Sequence, residues 1–334
     1  MKTEYFDVLS TILSPKSLLE QVNSRYRLQG LECKLWSMGL NDVYQIQTSE
    51  EQYYLRVSHA NRFSRKDYEE EITIILELQK RNINVCKPVK QKDDTYLWEI
   101  TALEGKRYAV LFEKVKQDAS RNLYEMGKIV AKIHEASDAA CLKVSREPIE
   151  YNQLIQHPLQ AVCESRQLEI EWIEDIKSKS IEMWKCITET IPKETPYYGY
   201  CHGDVHSGNL YFYKDRPQIF DFDCMGDAYR AYELAVYLWD ESSINEQFIN
   251  SDQWKEYISG YEAVRRLTKE ERDSLPAFAA LRQVWFMGLM VDTTKINNGW
   301  EGINRYFLEK QVRRFQFFYD LWKSQGEIKN MFGC

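Results

Sequence analysis

Glycine and proline are scarce in this chain, 14 and 8 of 334 residues, and no stretch is low in complexity. That shortage excludes collagen-like, repetitive and broadly disordered classes, which depend on those residues or on a polar bias. A basic excess is missing too. The formal net charge of −7 argues against a nucleic-acid partner, whose binders present a positive face. Long hydrophobic runs are absent: Val284–Val291 is the longest near the C-terminus, far below the roughly 20 residues of a membrane span. Met1 to Ser10 carries Glu4 and Asp7 and no apolar stretch, so it does not read as a secretory signal. Eight cysteines (33, 86, 141, 163, 186, 201, 224 and 334) include no C-x-x-C pair and no zinc-ligand spacing. They read as reduced, mostly buried thiols of a cytoplasmic protein with no membrane partner.

What remains is ample core material. Hydrophobic residues make up 44 % and charged residues 28 %, with 22 Tyr and 9 Trp. A chain of this length is expected to form two domains. The first third reads as strands at Leu31–Ser37, Val43–Thr48 and Gln52–Ser58, with a turn at Gly39–Asp42 between the first two. From Arg65 the period changes: Tyr68, Ile72, Ile75 and Leu76 recur at helical spacing and predict a helix to about Arg81. Further strands are expected near Val85–Lys90, Thr95–Thr101 and Tyr108–Glu113. After Val115 the chain turns helical, beginning with an amphipathic helix through Leu123, Met126, Ile129, Val130 and Ile133 that Ser120 could cap. More helices are expected within 159–190, 231–240, 252–264, 275–297 and 303–324, with short β-prone pieces at Leu210–Tyr213 and Gln218–Phe220. The boundary falls at 113–119, dividing the chain into 1–115 and 116–334.

Residues 202–209 read His-Gly-Asp-Val-His-Ser-Gly-Asn, and Asp221-Phe222-Asp223 follows after a strand pair. An acid, an asparagine five residues on and a second acid brought back by a turn suit phosphoryl transfer. That chemistry needs a positioned hydroxyl, phosphates held in line, and Mg²⁺ against the developing charge. Asp204 could accept the hydroxyl's proton, and the hard oxygens of Asn209 and Asp221 suit Mg²⁺. Asp and Asn are also common turn residues, but this spacing with two histidines and two glycines is hard to obtain as turn chemistry. His202 and His206 could suggest zinc, although H-x-x-x-H in a loop more often orients backbone and carboxylates.

CHGDVHSGNL followed by IFDFDCMGDAYRAYELAVYL resembles the aminoglycoside phosphotransferase and choline kinase-like family, whose H-G-D-x-H-x-x-N loop and D-x-D/E segment are both matched. The resemblance covers about 25–325 and is most specific over 201–240. It implies an α+β, bilobal protein kinase-like fold: a small antiparallel β-sheet lobe with one helix, which binds the nucleotide, then a larger, mainly helical lobe with the catalytic loop and substrate pocket. It implies ATP and Mg²⁺ as cofactors, Asp204 as base, Asn209 and Asp221 as metal ligands, and Asp223 as a second acid of less certain role. In the first lobe, Gly39-Leu40-Asn41-Asp42-Val43-Tyr44 resembles the family's reduced phosphate loop, so Gly39 and Asn41 would meet phosphate. Arg56 would contact the α/β phosphates, Glu71 would pair with it, and Glu113 and Val115 would lie in the hinge at the adenine edge.

The chain also departs from the family. Arg56 stands where protein kinases use Lys, and its planar fork is not a point charge. The phosphate loop has one glycine, Glu71 has Glu69 and Glu70 beside it, and Glu233 stands where relatives usually have Asp.

The acceptor is expected to be a small-molecule hydroxyl compound. Clustered carboxylates at Asp240, Glu241, Glu169, Glu171, Glu174 and Asp175 would suit an aminoglycoside, while Trp239, Trp285 and Trp300 could cage a quaternary ammonium. Homoserine-like amino alcohols and sugars are further acceptors among relatives. Leu281-Arg282-Gln283-Val284-Trp285 resembles a C-terminal helix of bacterial members. The alternatives are a stress-response Ser/Thr protein kinase or an ATP-binding pseudokinase, the latter opposed by the presence of Asp204, Asn209 and Asp221. Neither the acceptor nor the oligomeric state is written in the sequence.

Overall fold

In a computed structural model, which describes residues 6–296 and 302–332, the chain forms two compact units. One comprises residues up to 79 together with 85–116; the other comprises 80–84 and 117 onward. Trp300 and Cys334 lie outside the described residues.

The first unit is an antiparallel sheet in the order β1-β2-β3-β5-β4: β1 Glu32–Met38, β2 Asn41–Gln47, β3 Gln52–Ser58, β4 Trp98–Ala102 and β5 Gly105–Glu113. β2 starts earlier than the sequence suggests. Asn41 and Asp42 already pair with Ser58 and Val57, which leaves only Gly39 and Leu40 to turn. Val85–Lys90 is not a full strand: Pro88 forms a single bridge to Phe112, and its missing N–H cannot continue a ladder. A helix not expected from the sequence, α1 (Pro15–Arg25), precedes the sheet. Its signal was present, since Ser14 accepts from the Ser17 N–H, Pro15 opens the helix, and Leu18 and Val22 are buried at i, i+4. Tyr26, Tyr44, Ile46, Leu55, Val57 and Leu111 complete the core.

α2 (Arg65–Lys80) runs as the periodicity predicts, burying Tyr68, Glu71, Ile72, Ile75 and Leu78 on one face. Glu71 is therefore a core-facing residue, unlike the more exposed Glu69 and Glu70.

The second unit is mainly helical. α3 (Leu123–Ala139) is capped by Asn122, whose side chain accepts from the Glu125 N–H, and not by Ser120, which donates its hydroxyl to Asp118. α3 crosses α7 (Asp252–Glu262) so closely that a Cβ at Gly127 would stand 1.9 Å from the Tyr257 carbonyl oxygen. A π-turn at Asn152–Gln156 leads into α4 (His157–Ser165), followed by α5 (Ile170–Thr190). α6 (Arg230–Glu241) is buried from Arg230 to Trp239 and forms the centre of the unit.

α8 (Lys269–Ile296) starts six residues before the expected 275. Thr268 and Glu271 form a reciprocal cap, Thr268 N–H to Glu271 Oε2 at 3.0 Å and Glu271 N–H to Thr268 Oγ1 at 3.2 Å. Lys269–Thr293 is apolar enough by composition to cross a membrane, but 78 % of its most apolar window is buried within the protein, as in a core helix. α9 (Arg305–Phe332) extends beyond the expected end at 324.

Two strand pairs hold the loop of interest: β6 (Tyr198–Cys201) with β9 (Gly226–Tyr229), and the hairpin β7 (Leu210–Tyr213) with β8 (Arg216–Ile219). The hairpin turns through Lys214 and Asp215, both at positive φ.

Candidate active site

β6 delivers the chain into His202, and the β7–β8 hairpin returns it. Its register places Leu210 opposite Ile219, and Phe220 N–H donates to the Asn209 carbonyl at 3.0 Å. Asp221 thus follows directly after the residue paired with Asn209. Its backbone is left-handed, φ 65°, a conformation Asp tolerates better than most side chains.

Both oxygens of Asp204 are engaged. Oδ1 accepts from an Arg282 guanidinium nitrogen, and Oδ2 accepts from Asn209 Nδ2 at 2.9 Å. Asn209 Nδ2 also donates to the Asp204 carbonyl at 3.0 Å. Burial works to raise the Asp204 carboxyl's pKa, but Arg282 and His206 outweigh it and hold the group below the usual carboxylate range.

His202 is fully buried, with Nε2 3.1 Å from the Phe220 carbonyl and Nδ1 accepting from the Asp204 N–H at 3.3 Å. The two contacts require the neutral tautomer protonated at Nε2. Burial lowers its pKa to about 4. Both ring nitrogens serve the backbone, so His202 orients the loop and has none left for zinc. His206 bridges two carboxylates, Nε2 3.5 Å from Asp204 Oδ2 and Nδ1 3.9 Å from Asp240 Oδ2. Burial would lower its pKa, but those two acids raise it. Its Nδ1 accepts from the Gly208 N–H at 3.0 Å.

The loop is braced from below. Glu233 on α6 accepts the His202 N–H at 2.5 Å and the Gly203 N–H at 3.0 Å, one on each oxygen. Burial pushes its carboxyl up to about 7 against those two bonds. Gly203 has φ +80° and lies against the Cys224 carbonyl, 2.2 Å from where a Cβ would stand, so only glycine fits. Asp223 is buried on the turn after Asp221, and its carbonyl accepts from Arg146 at 2.6 Å.

In the first unit, Arg56 on β3 donates to Glu71 Oε1 of α2 at 2.6 Å, both side chains nearly enclosed. The Gly39 carbonyl accepts from His59 Nε2 at 2.9 Å, and a Cβ at Gly39 would meet nothing within 4 Å. Asn41 is buried, and its Oδ1 has no hydrogen-bond partner among the described residues. Glu113 ends β5, where its N–H donates to the Lys87 carbonyl at 2.9 Å; Val115 follows, half-buried.

The acids considered for a polycation are largely engaged elsewhere: Glu241 with Arg121 at 2.7 Å, Asp175 with Lys179 at 2.6 Å, Glu169 with Arg305 at 2.8 Å and Asp240 with Ser207 Oγ at 2.6 Å. Of the tryptophans considered for a cationic cage, Trp239 and Trp285 already carry guanidinium groups. Arg282 lies 3.7 Å from the Trp285 centroid, and Arg314 lies 4.7 Å from that of Trp239. Sequence reasoning placed Arg282 on a helix but missed its contact with Asp204, because the two are 78 positions apart.

Residues 34–267 match the phosphotransferase enzyme family (APH). A homoserine kinase of Rhizobium meliloti is 26 % identical over 231 residues, 68 % of each chain. Among solved structures, a microcompartment-associated aminopropanol kinase superposes with TM-score 0.74 at 18 % identity, over 92 % of this chain and 96 % of that one. An amicoumacin kinase, hAmiN, in complex with AMP-PNP, Ca²⁺ and Ami gives TM-score 0.73 at 17 % identity, over 92 % and 94 %. The fold is therefore the protein kinase-like one that these kinases share, and the chain belongs to the phosphotransferase enzyme family.

Proposed function

We propose that this protein transfers the γ-phosphate of ATP to a hydroxyl of a small molecule, with Asp204 as the base. The observation that carries the reading is the fixing of Asp204 from both oxygens, on a loop whose hairpin register sets Asn209 beside the residue preceding Asp221. In the transfer, the acceptor oxygen forms its bond to phosphorus, the bond from phosphorus to the ADP oxygen breaks, and the hydroxyl proton passes to Asp204. Held ionised by Arg282, Asp204 mainly orients the hydroxyl and takes its proton late.

Asn209 and Asp221 would hold Mg²⁺. The fit rests on donor chemistry: Asn209 spends its amide nitrogen on Asp204, which leaves its oxygen as the ligating end beside a carboxylate, and both are hard donors. The ion would neutralise charge developing on the phosphoryl oxygens. In the first unit, Arg56, held by Glu71, would meet the phosphates; Gly39 and Asn41 would line their loop, and Glu113 and Val115 would flank the adenine.

The engaged acids and the guanidinium-covered tryptophans favour a compact amino alcohol over a polycationic aminoglycoside or a quaternary ammonium.

The test is ATP consumption in magnesium against amino alcohols, sugars, aminoglycosides and a generic peptide, with Asp204→Asn as control. An amino alcohol-stimulated signal that the variant loses supports the reading. Transfer only to peptide would favour the protein-kinase alternative, and no nucleotide binding would overturn the assignment.

A further inference from the structure

Arg282 reaches Asp204 from α8, far along the chain, and its surroundings suit a single task. Only 3 % of its side chain is exposed. One terminal nitrogen donates to Asp204 Oδ1, and the other lies 3.1 Å from Tyr232 Oη and 3.3 Å from the Gly203 carbonyl oxygen. Its plane is set by Trp285, whose ring centroid is 3.7 Å away, and by Trp239 at 5.2 Å. The guanidinium thus grips the loop at two consecutive residues, the Gly203 carbonyl and the Asp204 carboxylate, while aromatic rings fix its orientation.

Asn209 holds only the other carboxylate oxygen. His206 Nε2 reaches that same oxygen, so with Oδ1 free the carboxylate could still turn about its χ2 axis; held at opposite oxygens, it cannot. Lysine could supply the charge but not three directed contacts from one plane.

We infer that Arg282 is the positioning residue for Asp204, holding its carboxylate in the orientation that receives the acceptor hydroxyl. The inference rests on the kinase reading above. It adds that the transfer depends on a residue from the C-terminal third, 78 positions from the base it holds.

The experiment compares wild type, Arg282→Lys, Arg282→Ala and Asp204→Asn, with rates expressed per ATP-binding site so that unfolded protein does not count. For Arg282→Ala, kcat is expected to fall about 100-fold with the KM for ATP little changed, the cost of an ångström-scale misplacement. Arg282→Lys should fall by less, and guanidinium in solution should recover part of the Arg282→Ala rate, whereas ammonium should not. Crystal structures of both arginine variants should show the Asp204 carboxylate rotated away from Asn209; this arm needs no acceptor and covers a variant too unstable for kinetics.

An unrotated carboxylate, an unchanged kcat, or a loss appearing only in the KM for ATP would overturn the role of Arg282. Asp204→Asn separates the two levels. If it keeps its activity, the reading of Asp204 as base fails and the inference falls with it; if it loses activity while Arg282→Ala does not, only the inference fails.

Discussion

The two units hold their key residues in opposite ways. In the first, Arg56 and Glu71 sit on a regular strand and a regular helix, joined by an ion pair. In the second, Asp204 and Asn209 sit on irregular chain between short strands, braced by Glu233 and Arg282 from 30 to 79 positions downstream. A regular element sets its side chains by periodicity and needs little bracing. A loop has no such period, and each backbone N–H it leaves unpaired must find a side chain. The difference teaches that damage in the first unit should stay local, whereas loss of a distant brace in the second should reach the chemistry.

The largest effect tests the loop itself. Asp204→Asn is expected to lower phosphoryl transfer by about 10²–10⁴-fold, the usual worth of a general base, with nucleotide binding unchanged by calorimetry. A matching loss of binding would erase the contrast, since Asp204 would then act on both.

Next comes the brace. Glu233→Ala leaves two buried N–H groups without acceptors, at about 1–3 kcal/mol each. Urea unfolding should report that loss, and Glu233→Asp, which keeps a carboxylate acceptor, should lose less. An unaltered midpoint in the alanine variant would show the loop to be self-supporting.

Arg56→Ala should act on the nucleotide alone. A charge-assisted hydrogen bond is worth about 1.5–3 kcal/mol, so the KM for ATP should rise about 10–150-fold without a change in acceptor preference. A shift in acceptor preference would break the division of labour between the units.

The smallest effect is acid sensitivity. His202 is held neutral with its pKa near 4 against an ordinary 6.5, so the unfolded chain binds its proton first as pH falls. Its contribution to stability is complete above pH 6.5 and drains away between 6.5 and 4, at most about 3 kcal/mol. His134, fully buried and also lowered, adds in the same direction. His202→Gln should flatten the dependence of the melting temperature on pH over that interval; an equal slope would assign the sensitivity to other groups.

Legibility in the sequence follows the same division. α2 and the strands of the first unit could be read because burial writes a period of 3.6 or 2 into the residues. The 202–209 loop was legible for a different reason, a dense cluster of chemical groups at fixed spacing. What escaped was contact between remote positions. Arg282 looked like one residue of an apolar helix, and its aim at Asp204 depends on how α8 packs beside α6. α1 escaped because eleven residues with two buried side chains leave little pattern, although Ser14-Pro15 marked its start. The guanidinium groups stacked on Trp239 and Trp285 escaped too, because composition does not show which remote arginine reaches which ring.

The β7–β8 hairpin constrains which lengths this segment can tolerate. Asn209 and Phe220 are partners across a two-residue turn, so one residue added to a single strand would slip the ladder and carry Asp221 to the wrong side. Two residues added to each strand would preserve both the hydrogen-bonded partnership and the face the side chains point to. Lineages of this fold should therefore vary the interval between their asparagine and aspartate in steps of four, and a designer grafting the loop onto another scaffold must cut or extend it by the same count.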